Sequence, residues 1–120
     1  MFDLYREQIL ERSKQPHFGG HVDSFTHQAD GENRSCGDEI HIELAVHDGV
    51  MTEIRHTTRA CAICAASADL LAESLQGKRT SELELWTPEK VVELLGIPLS
   101  PIRLKCALLP LETIKIGLSS

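Results

Sequence analysis

Four cysteines are the residues of this sequence whose type and spacing could do chemistry. Two of them form the motif Cys61-Ala62-Ile63-Cys64 at the start of an alanine-rich segment, whereas Cys36 and Cys106 lie far from it along the chain, beside polar or charged residues. The positive end of a helix dipole stabilises a thiolate, and the thiolate is the form that binds metal or attacks sulfur. We therefore expect the fold to bring three of the four thiols together.

The cysteine spacing leaves two interpretations open. Three thiolates on separate elements could form an open site for zinc or for an iron–sulfur cluster. Free cysteine is often simply a small buried hydrophobe, so spacing alone favours neither metal binding nor core packing. Cys64 falls on the apolar stripe and is expected in the core, whereas Cys61, one turn earlier, is the expected ligand. A thioredoxin-like site is disfavoured, because Cys-x-x-Cys follows a predicted antiparallel hairpin here.

Two charged residues lie close to a cysteine in the sequence. Asp38 follows Cys36 by two positions, and it either coordinates a hard or borderline metal or begins a strand. Lys105 adjoins Cys106, and it either lowers the pKa of that thiol or is an ordinary solvated lysine. The six histidines have no tight ligand spacing; His17 and His21 form only a weak pair, and each of these two is expected at the surface.

The composition predicts one globular domain over residues 1–120, with 42% hydrophobic and 25% charged residues. The net charge is -6 and Lys and Arg form no block, so neither a nucleic acid nor an acidic membrane is an expected partner. No apolar run approaches the ~20 residues of a membrane span, and the charged start does not fit a secretion signal. We therefore expect a cytoplasmic protein, in which cysteines favour metal or sulfur chemistry over disulfides.

Start and stop signals predict four helices, over residues 2–14, 63–76 and 88–95 and from residue 101 onward. Gln15-Pro16 ends the first helix, Gly77 ends the second and Thr87-Pro88 begins the third. A helical turn is expected within residues 78–86. Pro110 should kink or fray the last helix beside the third cysteine block. The leucines expected on the buried side of that helix are Leu104, Leu108, Leu111 and Leu118.

The clearest strand signal is the period-two alternation of residues 40–46, whose antiparallel partner is residues 50–57. A third, edge strand is expected within residues 22–26, and residues 28–34 are expected to form a polar loop. One face of this sheet, with His41, Glu43 and Arg55, should be polar and solvated, and the other should be buried under helices.

Two registers are possible for the hairpin. A two-residue turn at Asp48-Gly49 would leave Leu44 facing Glu53. A three-residue loop with a left-handed Gly49 would pair Ile42 with Ile54 and give one apolar face. We therefore expect the three-residue loop.

Three blocks of sequence resemble the signatures of a known family. Asn33-Arg34-Ser35-Cys36-Gly37-Asp38 resembles Asn-Pro-x-Cys-Gly-Asp, and Cys61-Ala62-Ile63-Cys64-Ala65-Ala66-Ser67 resembles Cys-Ala-Ile-Ser-x-Ala-Ser. Arg103-Leu104-Lys105-Cys106-Ala107-Leu108-Leu109-Pro110 resembles Arg-x-Lys-Cys-Ala-x-Leu. These signatures belong to the NifU-like, or IscU–SufU, scaffolds of iron–sulfur cluster assembly. The blocks follow the family's order, and the resemblance covers nearly the whole chain.

The resemblance implies an α+β fold, a three-stranded antiparallel sheet covered on one face by helices (SufE/NifU-like). It implies a scaffold that accepts persulfide sulfur from a cysteine desulfurase, with Cys36 as the possible acceptor. The scaffold would assemble a transient [2Fe–2S] cluster and transfer it to recipient apo iron–sulfur proteins. Cys36, Asp38, Cys61 and Cys106 would hold the cluster or metal, and zinc is expected as purified. The alternatives are a zinc-dependent sulfurtransferase of the SufU type, which would be an enzyme, and a metal-free protein that only binds a partner.

Several positions depart from the family pattern. Lys105 is typical of SufU proteins, but the insertion that those proteins carry between the second and third cysteines is missing. Residues 99–103 half resemble the segment through which IscU binds an Hsp70-type chaperone, so that partner is left open. Ala60 replaces the usual glycine, and Cys64 replaces a serine.

Overall fold

A computed structural model describes residues 2–119. The strands are β1 (His27–Asn33), β2 (Asp38–His47) and β3 (Val50–Arg59), and the helices are α1 (Phe2–Lys14), α2 (Ala62–Leu75), α3 (Pro88–Leu95) and α4 (Pro101–Ser119), with a 3₁₀ helix at Thr80–Leu85. The strands form one antiparallel sheet in the order β1-β2-β3. Helices α2 and α4 pack on this sheet, and α1 packs on α2. The predicted α+β fold is therefore confirmed. Within residues 2–119, no helix is long and apolar enough to cross a bilayer.

The core lies between the sheet and the helices. Ile42, Leu44, Met51 and Ile54 line the inner side of β2 and β3, and each is buried. Leu71 of α2 is buried in the same cluster. Full burial of a side chain of this size contributes about 1.5–3 kcal/mol, so this layer holds the helices at fixed positions over the sheet.

The β2–β3 hairpin differs from the expected three-residue loop. Asp48 and Gly49 have φ angles of 53° and 76°, the pair of positive values that a two-residue type I′ turn requires. A bulge at Thr52 then shifts the register, so that Leu44 faces Ile54 rather than a glutamate. The hairpin therefore has the expected apolar face. Its register is set by the bulge, however, and not by a three-residue loop.

Strand β1 occupies residues where a polar loop was expected, so that prediction is wrong. Its inward-facing residues include Ala29 and Gly31, which are small because α4 lies directly against them. A Cβ atom on Gly31 would collide with the Thr113 hydroxyl, and one on Gly117 would lie 3.2 Å from the Ala29 Cβ. The strand lacks large apolar residues because close packing with a helix leaves them no room.

Residues 22–26, the expected edge strand, instead belong to a segment that crosses the outer face of the sheet. The Val22 amide donates to Glu43 Oε1 at 2.8 Å, and His21 Nδ1 and His41 Nε2 lie 3.0 and 2.8 Å from Glu43 Oε2. Glu43 is therefore buried, although the sequence predicted it on a solvated face. Burial raises the pKa of Glu43, but these hydrogen bonds outweigh that effect and lower it to about 2.

The helix limits agree with the sequence signals. Thr87 accepts a hydrogen bond from the Lys90 amide at the start of α3, and Gly96 ends that helix with a φ of 76°. Helix α4 runs through Pro110 without an interruption, so the expected frayed turn beside the third cysteine block is absent. Its buried face is also rotated from the predicted leucine stripe, and it consists of Cys106, Ala107, Leu109, Pro110, Leu111, Thr113, Ile114 and Gly117.

A buried ionic network joins α1 to α2. Arg12 of α1 is buried despite its charge, and it donates to Asp69 at 2.8 Å and to Glu73 at 2.7 Å. Asp69 also accepts from the backbone amides of residues 17 and 18 and from His56. Burial raises the pKa of Asp69, and the four hydrogen bonds outweigh it and lower the pKa to about 2.

Candidate metal centre

Four elements converge at one end of the sheet and carry the predicted site residues. Cys36 lies in the exposed turn between β1 and β2, and Asp38 is the first residue of β2. Cys61 is the N-cap of α2, and Cys106 lies on α4, where that helix is buried. The turn, strand and helices bring together residues that are up to 70 positions apart in the chain.

Three of the four predicted residues form a tight group. One ligand atom each from Cys36, Asp38 and Cys106 lies within 4.8 Å of the other two, and this is the one such group of histidine, cysteine or acidic residues among residues 2–119. The sulfur atoms of Cys36 and Cys106 are 3.2 Å apart. Two sulfurs and one carboxylate oxygen therefore face a common point.

Cys61 adjoins this group through Asp38. Its backbone amide donates to Asp38 Oδ1 at 3.0 Å, and its thiol lies 4.0 Å from Asp38 Oδ2. The first carboxylate oxygen is thus engaged by the start of α2. The second oxygen is the one that faces the Cys61 thiol.

The fourth cysteine, Cys64, lies apart from the group. It is fully buried in the apolar core, as the sequence predicted. Burial, together with the nearby acidic and sulfur groups, raises the pKa of the Cys64 thiol well above its ordinary value. A neutral thiol that packs against apolar side chains acts as a small hydrophobic residue.

The site is asymmetric in its exposure. Asp38 and Cys106 are each 1% exposed, whereas Cys36 is open to solvent. Burial and the surrounding Asp38, Cys36 and Cys61 groups raise the pKa of Cys106, and the neighbouring Lys105 is exposed to solvent. A thiolate at Cys106 is therefore favoured only when a positive charge, such as a metal ion, is bound.

Asn33 is a site residue whose role the sequence analysis did not assign. Its side-chain oxygen accepts from the Ser35 amide at 3.2 Å, and its side-chain nitrogen lies 3.7 Å from the Cys36 sulfur. The Cys36 amide in turn donates to the Asn33 carbonyl at 3.2 Å. Asparagine two residues before a turn amide is an Asx-turn signal, and this signal could have indicated how the Cys36 loop is held.

The donor set suits a borderline metal or an iron–sulfur cluster. Thiolate sulfur and carboxylate oxygen are both ligands of Zn²⁺, and cysteine thiolates hold iron–sulfur clusters. With Cys61 added, the site offers three sulfurs and one oxygen. These four donors are as many as a tetrahedral site needs. The residues therefore fit such a group by their chemistry.

The chain matches a known protein family. The model of the NifU-like N terminal domain matches residues 4–120, nearly the whole chain. The chain belongs to this family. The predicted resemblance to IscU–SufU scaffolds is thereby confirmed.

Relatives within the NifU-like family cover most of the chain. The iron-sulfur cluster assembly scaffold protein IscU of Thermotoga maritima is 34% identical over 131 residues, which cover 96% of this chain and 92% of that protein. The zinc-dependent sulfurtransferase SufU of Bacillus subtilis is 29% identical over 76 residues, or 62% of this chain and 50% of that protein. The chain is therefore similar both to a cluster assembly scaffold and to a zinc-dependent sulfurtransferase.

Solved structures of the NifU-like family share the fold. A putative iron-sulfur cluster assembly scaffold protein for the SUF system from Fervidobacterium islandicum has a TM-score of 0.79 at 25% identity and covers 93% of this chain and 94% of that chain. The N-terminal part of a NifU-like protein from Brucella abortus has a TM-score of 0.78 at 22% identity, with 98% of this chain and 93% of that chain covered. The sheet and helices described above are thus the family's architecture.

Proposed function

We propose that this protein is an iron–sulfur cluster assembly scaffold that accepts persulfide sulfur from a cysteine desulfurase and assembles a [2Fe–2S] cluster for transfer. The observation that carries the proposal is the approach of Cys36, Asp38 and Cys106 within 4.8 Å, with Cys61 against the same carboxylate. We assign all four residues as ligands of the transferred cluster. Membership of the NifU-like family supports this assignment.

Exposure divides the work among these residues. Cys36 lies in a solvent-exposed turn, so the active-site sulfur of a docked desulfurase could reach it, and we assign it as the persulfide acceptor. Cys106 is buried behind Cys36 and would bind the cluster on its protein-facing side. Asp38 supplies an oxygen ligand, which binds soft metal ions less firmly than a fourth thiolate and therefore favours release.

The partners follow from this chemistry. A scaffold needs a desulfurase that delivers sulfur, a source of iron, and apo iron–sulfur proteins that receive the finished cluster. Zinc is the expected occupant after aerobic purification, because three sulfurs and one oxygen form a set that Zn²⁺ binds readily. When bound, zinc would keep the thiols deprotonated at neutral pH.

Anaerobic reconstitution tests the scaffold function. The metal-free protein is incubated with ferrous iron, cysteine and a cysteine desulfurase, and the absorption of the cluster and the iron and sulfide content are measured. In the wild type we expect equal amounts of iron and sulfide, as a [2Fe–2S] cluster requires. In Cys61→Ser we expect little cluster. Cys64→Ser is the matched control, because it changes a cysteine of the same motif that lies in the core. A wild type that forms no cluster, or a Cys61→Ser variant that forms as much as the wild type, contradicts the proposal.

A zinc-dependent sulfurtransferase is the second candidate. The exposure of Cys36 favours it, since a sulfur-accepting ligand must leave the metal while the buried ligands stay. In this case the zinc form should stimulate the turnover of a desulfurase in the absence of iron. Stimulation by the zinc form without any cluster formation would select this function over the scaffold.

A further inference from the structure

The contact between Cys36 and Cys106 has a chemical consequence beyond ligand binding. Their sulfur atoms lie 3.2 Å apart. This distance allows a thiol hydrogen bond and is longer than a disulfide bond. Cys36 is exposed to incoming sulfur and Cys106 is buried directly behind it. A sulfur atom added to Cys36 would therefore have a second thiol in contact with the carbon-linked sulfur that carries it.

The other two thiols are placed less favourably for this reaction. The Cys61 thiol contacts Asp38 at 4.0 Å and does not belong to the group within 4.8 Å that contains Cys36 and Cys106. Cys64 is fully buried among apolar side chains. Of the four cysteines, all of which lie in the described part of the chain, Cys106 is the one in contact with Cys36.

We propose that Cys106 reduces a persulfide carried on Cys36 and releases its outer sulfur as sulfide, leaving a Cys36–Cys106 disulfide. This inference rests on the proposed function, because that function supplies the persulfide. It gives the protein an activity of its own, the two-electron reduction that sulfane sulfur needs before it can enter a cluster. The protein would need no separate electron donor for the first sulfide.

The reaction balances as a thiol–persulfide exchange. The outer sulfur of the Cys36 persulfide anion first takes the proton of the neutral Cys106 thiol, which gives a Cys106 thiolate and a neutral persulfide. The thiolate attacks the inner, carbon-linked sulfur, and a sulfur–sulfur bond forms between the two side chains. The bond to the outer sulfur breaks, and that sulfur leaves as HS⁻. The outer sulfur is reduced by two electrons and the two cysteine sulfurs are oxidised to the disulfide. An external dithiol then restores both thiols in a second exchange.

The geometry requires only a small local movement. A disulfide bond is about 2.05 Å long, so the two sulfurs must approach each other by roughly 1 Å. The Cys36 turn is exposed and contains Gly37, whose positive φ of 72° marks a sharp bend with open space around it. The buried Cys106 is held by α4, so the turn is the part that moves.

The test uses the full chain without metal, under anaerobic conditions, loaded with a limiting amount of inorganic polysulfide. After alkylation, mass spectrometry shows whether Cys36 carries an added sulfur or is linked to another cysteine, and a bimane trap measures sulfide. In the wild type we expect a Cys36–Cys106 linked peptide and one sulfide more per chain than in Cys106→Ser. In Cys106→Ser the Cys36 persulfide should survive at least about tenfold longer, because the neighbouring thiol is lost.

Two further measurements keep the outcome decisive. Cys64→Ser should behave like the wild type, since its sulfur lies in the core. The linked peptide is read in the wild type itself, so the test does not depend on the folding of Cys106→Ser. A link from Cys36 to Cys61, or a Cys36 persulfide equally long-lived in the wild type and in Cys106→Ser, overturns the inference. Replacing polysulfide by a desulfurase and cysteine tests the proposed function separately, since failure in that arm alone removes sulfur acceptance and leaves the exchange intact.

Discussion

The carboxylate of Asp38 accepts a hydrogen bond from the backbone amide of Cys61 at 3.0 Å. The first residue of β2 is thus attached to the N-cap of α2, where the positive end of the helix dipole favours a negative charge. One oxygen of the carboxylate has this structural partner, and the other faces the Cys61 thiol. Asp38 therefore combines a role in the fold with a role in the site, and the two can be separated by mutation.

Asp38→Asn and Asp38→Ala should differ in stability and agree in function. Asparagine keeps an oxygen that can accept from the Cys61 amide, whereas alanine leaves that amide without it and should lower the free energy of unfolding by about 1–2 kcal/mol. Both variants lose the anionic ligand, and we expect slower cluster transfer from each. Urea unfolding and transfer to an apo-ferredoxin measure the two effects. Unchanged transfer in both variants would remove the ligand role of Asp38.

Cys61→Ser should separate metal binding from helix capping. The Cys61 side chain makes no capping hydrogen bond, and serine is among the preferred N-cap residues. We expect the metal-free variant to be as stable as the wild type or more stable by about 0.5–1 kcal/mol. Its zinc affinity should fall by at least about tenfold, because loss of a ligand costs no less than loss of an outer-shell partner. Thermal unfolding and a competition titration with a chelator give both values, and an unaltered affinity would exclude Cys61 as a ligand.

Gly31→Ala should disturb the contact between β1 and α4. The added Cβ atom would collide with the Thr113 hydroxyl and lie 3.3 Å from side-chain atoms of Ile40 and Leu109. Overpacking of this kind costs about 1–3 kcal/mol in unfolding free energy. The double variant with Thr113→Ala should recover part of that loss, because the severest collision is removed. Denaturant unfolding of the four members of this cycle checks the coupling, and strict additivity would contradict it.

Acid should destabilise the protein through two buried carboxylates. The pKa of Asp69 lies at about 2 against an ordinary 3.8, and that of Glu43 at about 2 against 4.5. Groups with a lowered pKa in the folded state stabilise it above their ordinary pKa, and this stabilisation is lost as the pH falls toward 2. The free energy of unfolding should therefore decrease between about pH 4.5 and pH 2.

Neutral variants check the source of this acid sensitivity. Asp69→Asn should be less stable than the wild type at pH 7 and should show a smaller loss on acidification, because it has no carboxylate to protonate. Glu7→Gln is the matched control at an exposed position of α1 and should keep the wild-type slope. Equal pH slopes for the wild type and Asp69→Asn would show that other groups govern the acid transition.

The sequence specified the helices well because their signals are local. Thr87, Pro88 and Gly96 act within one turn of the helix ends that they define, and the observed limits match them. The turn at Asp48-Gly49 is also a local signal, but the bulge that follows it depends on which side chains meet across the sheet. The register therefore could not be derived from the hairpin residues alone.

Long-range contacts account for the remaining differences. Ala29 and Gly31 are small residues in a segment whose composition predicts a polar loop. The packing of α4 against them explains why this segment forms a strand instead. Arg12 is buried because Asp69, 57 positions away, lies opposite it. The site residues were indicated by three sequence blocks, and what the sequence lacked was their geometry, above all the contact of Cys36 with Cys106 rather than with Cys61.

The exposed turn that carries Cys36 lies against Asp38 and Cys106, two residues that solvent barely reaches. The site is therefore accessible from one side, the side of Cys36. Under the proposed function, a desulfurase that delivers sulfur and an apo protein that receives the cluster would approach the same small area of surface and would exclude each other. Delivery and transfer would then alternate in time, and the chemical state of Cys36 would determine which partner binds.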